Sequence, residues 1–444
     1  MVEAELEIAP FSADRAIATL REIDMMPQYG KVRQVIGVVI ESLGPPMAVG
    51  ETCAIRYRRN AEPVLAEVVG FRANQVLMMP LGELAGIGAG SEVRRLGKPL
   101  DIPLSRELLG RILDGLGRPI DDGPPIAVER HALVTGSPPG PLHRLRISEP
   151  LTMGVRAIDG LLTCGKGQRV GIFAGSGVGK STVLGMIARN TSAAVNVIAL
   201  VGERGKEVLD FIERDLGEAG LRRSVVVVAT SDQPALVRIK AAFVATTIAE
   251  YFRDQGLDVM LMMDSVTRFA LAQREVGLAI GEPTTTRGYT PSVFAALPRL
   301  LERAGTSRLG TITALYAVLV DGDDLNEPVA DAVRSILDGH IVLSRALASA
   351  NHYPAIDVLQ SVSRSMTDVV SGEHLRSAGA VRDMMATYRD VEDMINIGAY
   401  VHGTNPKVDR AVSKIEYIRA FLKQGVDEHL TMDVTERALE ALAA

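Results

Sequence analysis

Ala174-Gly175-Ser176-Gly177-Val178-Gly179-Lys180-Ser181-Thr182 follows the largely apolar run Arg169 to Phe173 and leads into a helix-like segment, Ser181 to Arg189. A strand, a glycine-rich loop and a helix in this order read as a phosphate-binding loop. Glycines at 175, 177 and 179 let the backbone turn its N–H groups around an anion with no Cβ in the way. The following helix aims its positive dipole end at the same point. Lys180 adds a point charge for the β and γ phosphates, and the Ser181 hydroxyl is placed to ligate Mg²⁺. The usual pattern begins with Gly, so Ala174 departs from it at the first position, while the chemically demanding Gly-Lys-Ser end is intact.

Downstream the chain alternates. Val195 to Val201 reads as a strand and Glu207 to Ala219 as a helix stopped by Gly220. Val225 to Ala229 is again a strand, Pro234 to Gln255 a long helix ending at Gly256, and Val259 to Met263 a strand. Continuously apolar strands separated by amphipathic helices imply a parallel sheet covered on both faces. Further strands are predicted at Thr311 to Val320 and His340 to Leu343. Beyond about residue 370 only helices remain: Glu373 to Ile397, Pro406 to Lys423 and Val434 to Ala443.

Upstream, Ser12 to Met26 reads as a short amphipathic helix that leans on the next domain or on another protein. From Lys31 to about Leu96 short β-type runs (Val32 to Ile40, Cys53 to Tyr57, Val64 to Phe71, Gln75 to Leu81, Glu92 to Leu96) alternate with Gly/Pro turns, the pattern of a small barrel. Residues 97–150 carry several Gly/Pro turns and read as a surface connection between domains. The division is therefore 1–96 for the N-terminal helix and barrel, 97–370 for an α/β core built on a parallel sheet, and 371–444 for a helical domain.

A chain of 444 residues, 47% hydrophobic and 23% charged, is a soluble globular protein of roughly two to four domains. Its net charge of −6, with Lys and Arg dispersed, argues against a nucleic-acid surface. Cys53 and Cys164 lack metal-ligand spacing and read as reduced core thiols. The seven histidines form no ligand spacing either, and Met260, Met262 and Met263 read as core filler. Met1 to Pro10 holds three glutamates and no signal-peptide pattern, and no apolar run reaches spanning length.

Hydrolysis at such a loop needs a carboxylate near Mg²⁺, another for the attacking water, and positive charge for the transition state. Asp264 ends the strand Val259 to Met263, where a Walker B aspartate sits; a helix cap is the alternative. Glu203 ends the preceding strand, in Gly202-Glu203-Arg204, and faces the ligand crevice at the carboxyl edge. It is the candidate water-activating base, with a surface salt bridge as the alternative.

At this point the motifs resemble a family. The loop at 174–182, Gly202-Glu203-Arg204, Asp264 to Phe269, Arg287-Gly288-Tyr289-Thr290-Pro291 and Tyr353-Pro354-Ala355-Ile356-Asp357 are similar, in order, to the motif series of rotary ATPase catalytic subunits. Ile158 to Arg169, Phe173 to Ser181, and Gly322 to Pro328 leading into Ser335 to Arg345 resemble the type III protein-export ATPases, flagellar and injectisome, a branch in which Ala174 is regular. The resemblance implies a RecA-like, parallel-sheet P-loop fold for the core at 97–370, with ATP and Mg²⁺ as cofactors. It implies that Lys180 and Ser181 hold phosphates and Mg²⁺, that Asp264 supports the metal, that Glu203 activates water, that Arg204 and Arg268 lie near the γ-phosphate, and that Tyr353 stacks on adenine. Ser361-Val362-Ser363-Arg364-Ser365 resembles the segment supplying an arginine finger to a neighbouring subunit. One chain carrying both the catalytic set and Arg364 implies a homo-oligomeric ring, a hexamer, with each site completed in trans.

The function so implied is ATP hydrolysis energising flagellar protein export. The injectisome ATPase and the catalytic subunit of an ion-translocating rotary ATPase are the alternatives, followed by an RNA-translocating helicase and a non-hydrolysing nucleotide-binding subunit. The resemblance further implies a stator-like regulator at the N-terminal helix, a stalk-like central subunit, and export apparatus, chaperones and exported proteins as partners. It implies a cytoplasmic location, peripheral at the inner face of the cell membrane.

Overall fold

The computed structural model describes residues 26–57, 62–320 and 324–444. The helix read at 12–26 falls, but for Met26, outside the described residues.

Six short strands close a barrel: β1 (Tyr29–Ile36), β2 (Val39–Leu43), β3 (Thr52–Arg56), β4 (Val64–Arg72), β5 (Gln75–Pro80) and β6 (Glu92–Arg95), in the order β1-β2-β5-β4-β3-β6. Val32, Ile40, Cys53, Ile55, Ala66, Val68, Met78 and Val93 fill it. The single run read at Val32 to Ile40 is two strands, because Gly37, at φ +58°, turns the chain into a hairpin pairing Ile36 with Val39. Cys53 is a buried free thiol pushed up to about 12 by desolvation. The barrel forms one compact unit ending at Lys98, and Pro99–Ala444 with Leu81–Glu83 form the other.

In the second unit β7 (Asp101–Leu104) pairs with β9 (Arg130–Leu133), between which β8 (Ile112–Asp114) joins the main sheet. The segment 97–150 is therefore not a surface connection throughout: β8 lies parallel to the buried strand β14 (Ser224–Ala229) and extends the sheet at its edge. β10 (Pro150–Leu151) and β11 (Cys164–Gly165) form a small antiparallel pair.

The main sheet runs β19-β18-β12-β17-β15-β13-β14-β8. Its parallel strands are β12 (Arg169–Ala174), β13 (Val195–Val201), β15 (Asp258–Asp264), β17 (Thr311–Leu319) and β18 (Gly339–Leu343), with β14 and β8. β13 and β14 are buried along their whole length, which is why they read as unbroken apolar runs. β16 (Gly305–Thr306) pairs antiparallel to β17, and β19 (Ile356–Ser363) antiparallel to β18. β19 is a strand the sequence reading does not contain. The helix read at Glu207 to Ala219 is three pieces, Gly205–Asp210, a π-turn at Phe211–Leu216 and Gly217–Leu221, running past Gly220.

The C-terminal helices Gly372–Asn396, Pro406–Leu422 and Met432–Ala443 pack on one another and on the short helix Arg156–Leu161, and the first of them also touches β19. Val381, Ile418, Phe421 and Leu439 join Ile172, Ile187 and Met262 in one core. Arg303, wholly inaccessible to solvent, donates to both Glu250 oxygens (2.9 and 2.5 Å), to the Val134 carbonyl (2.8 Å) and to the Thr247 hydroxyl (2.9 Å).

Removing one member of such a pair strands the other charge in the interior. Arg303→Met should lose about 3–5 kcal/mol of stability, read as a lower urea midpoint, and Arg303→Met with Glu250→Leu should recover much of it. An unchanged midpoint for the single variant would contradict the pairing.

Candidate active site

Parallel strands bring their carboxyl ends to one edge, and the loop after β12 opens there. Gly177 and Gly179 take φ of +79° and +87°, which L side chains rarely adopt, and nothing lies within 4 Å of a Cβ added at Gly177. The helix Lys180–Asn190 begins directly after Gly179. A Cβ at Gly179 would touch the Tyr353 ring at 3.7 Å, so the aromatic side chain stands beside the loop, half exposed. The Tyr353 carbonyl accepts a hydrogen bond from Gln424 N at 3.0 Å, which brings the end of the helix Pro406–Leu422 to the same place. Nothing in the sequence pattern signalled Gln424.

Two carboxylates converge on Lys180. Asp264, last residue of β15, pairs directly with its ammonium, and Glu203 Oε1 lies 3.7 Å from it. Asp264 is not the helix cap. Ser265 is, its Oγ accepting from Arg268 N at 3.3 Å at the head of Val266–Ile280. Glu203 follows β13 through Gly202, whose φ of +72° lets the chain turn. A Cβ at Gly202 would sit 2.9 Å from Arg268 Cβ, so the Arg268 side chain packs under this turn. Glu203 is 8% exposed, and its Oε1 makes no hydrogen bond. Burial first, and then the Asp264 charge, push its carboxyl up to about 7 against the pull of Lys180 and Arg268.

The structure thus gathers Lys180, Glu203, Asp264, Arg268 and Tyr353 around the loop of Ala174, Gly175, Ser176, Gly177, Val178, Gly179, Ser181 and Thr182. It does not bring Arg204 to them: that side chain is 78% exposed and pairs with Glu207 at 3.8 Å. Nor does it bring Arg364. Ala174 pairs with Leu343, and Leu343 with Ile356, at the carboxyl edge, whereas Ser363 pairs with Gly339 at the amino edge. Four residues of β18 separate those rows, roughly 13 Å along the strand. Arg364 is exposed there, and among the described residues no ion pair holds its guanidinium.

Comparison with known proteins agrees with this geometry. Residues 154–363 match the nucleotide-binding domain of the ATP synthase alpha/beta family, 32–97 its beta-barrel domain, and 370–441 the T3SS EscN ATPase C-terminal domain. The chain is 54% identical over 426 residues to a flagellum-specific ATP synthase of Bacillus subtilis (strain 168), covering 94% of this chain and 96% of that one. The chain belongs to the ATP synthase alpha/beta family. Within the family it is 49% identical over 441 residues to a type 3 secretion system ATPase of Xanthomonas euvesicatoria, covering 99% of this chain and 98% of that one. The assembled ATPase EscN from the type III secretion system of enteropathogenic E. coli superposes with a TM-score of 0.89 at 47% identity, over 94% of this chain and 100% of that chain. The same ATPase in complex with its central stalk EscO gives a TM-score of 0.87.

Family membership implies a nucleotide, and the residues fit one. The glycine cradle has room for phosphate oxygens, and Glu203 Oε1 is a buried acceptor without a donor. Among the described residues no group of three or more His, Cys, Asp or Glu could hold a metal ion. A single carboxylate, Asp264, with the Ser181 hydroxyl suits Mg²⁺, which keeps waters and phosphate oxygens in its remaining positions.

The raised Glu203 carboxyl has a stability consequence. Between pH 4.5 and about 7 the folded protein keeps a proton that the unfolded chain has lost, so stability falls as pH rises through that window. Glu203→Gln should therefore resist urea better than the parent at pH 8, with the advantage gone below pH 4.5. Equal midpoints at pH 8 would contradict the burial of this charge.

Proposed function

We propose that this chain hydrolyses ATP with Mg²⁺ in a homo-oligomeric ring, a hexamer, and that turnover energises protein export through the flagellar type III apparatus. The observation that carries the ring is the separation of Arg364 from Lys180 across the sheet: a complete set for one phosphoryl centre lies on two opposite edges of the same molecule. Two copies placed edge to edge bring the set together. EscN is described as an assembled ATPase and in complex with a central stalk, which supports the ring and a stalk-like partner here. The identities of 54% and 51% to flagellum-specific ATP synthases of Bacillus subtilis (strain 168) and Treponema pallidum (strain Nichols) support the flagellar reading.

The backbone N–H groups of the loop and Lys180 bind and orient the phosphates, and Ser181 and Asp264 would hold Mg²⁺, which when bound would supply positive charge to offset that of the phosphates. Glu203 Oε1 takes up the proton of the attacking water, a task suited to a carboxyl titrating near neutral pH. Arg268 holds the Glu203 turn from below, while Arg204, exposed and paired with Glu207, stays outside the gathered set. Tyr353 stacks on the base. Arg364 of the neighbouring copy stabilises the transition-state charge. No helix among the described residues is long and apolar enough to cross a membrane, and we place the ring in the cytoplasm, peripheral at the inner face of the cell membrane. A stator-like regulator at the N-terminal segment, chaperones and exported proteins complete the proposed partners.

Lys180→Ala and Arg364→Ala should each lower turnover by roughly 10³-fold or more in the assembled protein. Mixing the two variants should restore activity, because some interfaces then combine an intact Lys180 with an intact Arg364. No recovery at any ratio would sink the trans arrangement.

A further inference from the structure

Arg364 is exposed, with no ion pair among the described residues, yet the backbone that presents it is fixed from behind by Asp338, Ser363 and the buried Gln168. Its amide N–H donates to the Asp338 carbonyl at 3.1 Å. The same carbonyl accepts from Gln168 Nε2, also at 3.1 Å, and that nitrogen reaches Ser363 Oγ at 3.1 Å. Gln168 Oε1 accepts from Gly165 N at 2.9 Å, and Ser363 Oγ donates to the Thr163 carbonyl at 2.7 Å. Gln168 is wholly inaccessible to solvent. A Cβ at Gly339 would lie 2.6 Å from the Val362 carbonyl and 3.2 Å from Gln168 Nε2, so glycine there lets the amide come this close. Asp338 is held in turn: Arg169 donates to it from its backbone N and from its guanidinium, at 3.0–3.1 Å.

A lone Gln buried at the amino edge, far from its own phosphate loop, has no part in the chemistry of its own copy. Its amide nitrogen is spent on the two residues that bracket the start of Arg364, the turn at Asp338 and the hydroxyl of Ser363, while its oxygen is held by Gly165 N. We propose that Gln168, together with the Ser363 hydroxyl, is a positioning residue for the Arg364 guanidinium and so acts on the active site of the neighbouring copy. The inference rests on the reading of Arg364 as a finger in trans. A long, exposed side chain without an ion pair has many rotamers, so a fixed Cα and a fixed backbone direction are what the fold can contribute to its aim. A displacement of about 1 Å at a group that stabilises a transition state costs on the order of 10²-fold.

The test uses the assembled ring. Gln168→Leu, which keeps the volume and removes both donors, should lower kcat by roughly 10–100-fold with little change in KM for ATP. Ser363→Ala should do the same more weakly, and Ser363→Thr, which keeps the hydroxyl, should restore kcat. Because the defect lies on the finger side, Gln168→Leu should regain activity when mixed with Lys180→Ala, and not when mixed with Arg364→Ala. Wild-type kcat in Gln168→Leu and Ser363→Ala overturns the inference, as does a loss that appears in KM alone. The control is the mixture of Arg364→Ala with Lys180→Ala. Recovery there without recovery for Gln168→Leu or Ser363→Ala overturns this inference alone, whereas no recovery in the control overturns the trans reading and this inference with it. If Gln168→Leu does not assemble, the Ser363→Ala and Ser363→Thr pair carries the same comparison.

Discussion

One ammonium group holds two buried carboxylates at the same sheet edge. Without Lys180, Glu203 and Asp264 would bring two uncompensated negative charges together in a poorly hydrated crevice, and the Asp264 charge would push the Glu203 carboxyl higher still. Lys180 pairs with Asp264 and stands within Coulombic reach of Glu203, so the two carboxyls separate into different roles: Asp264 stays tied to the cation, and Glu203, less completely compensated, is pushed up to about 7. The carboxylate proposed to support the metal and the one proposed to accept the proton thus arise from neighbouring strand ends and share one chemical type.

The parallel sheet is what makes this pairing possible and what limits it. β12, β13 and β15 deliver the loop, Glu203 and Asp264 to one edge because all three run the same way. β19 runs the other way, and so the residue that follows it, Arg364, leaves the sheet at the opposite edge. A single copy therefore carries the two halves of the proposed site facing away from each other. The amino edge is as heavily built as the carboxyl edge: Arg169 joins Asp338 to Glu302, and Arg144 also reaches Glu302.

The phosphate loop, Glu203 and Asp264 were legible in the sequence because each follows a strand buried on both faces, whose apolar run ends abruptly at a glycine or a carboxylate. β8 was not legible: three residues have no period, and Ile112–Asp114 becomes a strand only by pairing with Val226–Val228. β19 was hidden because Ile356–Ser363 mixes buried and exposed residues at an edge and includes Asp357, Gln360 and two serines. Gly37 split an apparent single strand by a turn that the apolar pattern of Val32 to Ile40 does not record. Arg204, adjacent to Glu203 and therefore grouped with it in one dimension, turns outward to Glu207 because the helix Gly205–Asp210 starts immediately after it. Gln168 and Gln424 could not be assigned from the sequence, since the contacts that matter, Gln168 Nε2 to the Asp338 carbonyl and Gln424 N to the Tyr353 carbonyl, join residues far apart in the chain.

In the proposed ring a competent site needs two copies of this chain. The most direct measurement is specific ATPase activity, per chain, as the protein is diluted from micromolar to nanomolar concentration at fixed, saturating Mg²⁺ and ATP, with the oligomeric state followed in parallel. Specific activity should fall steeply where the ring dissociates, while dilution of Arg364→Ala changes its residual activity little. Specific activity that stays constant through dissociation to monomers would contradict the claim.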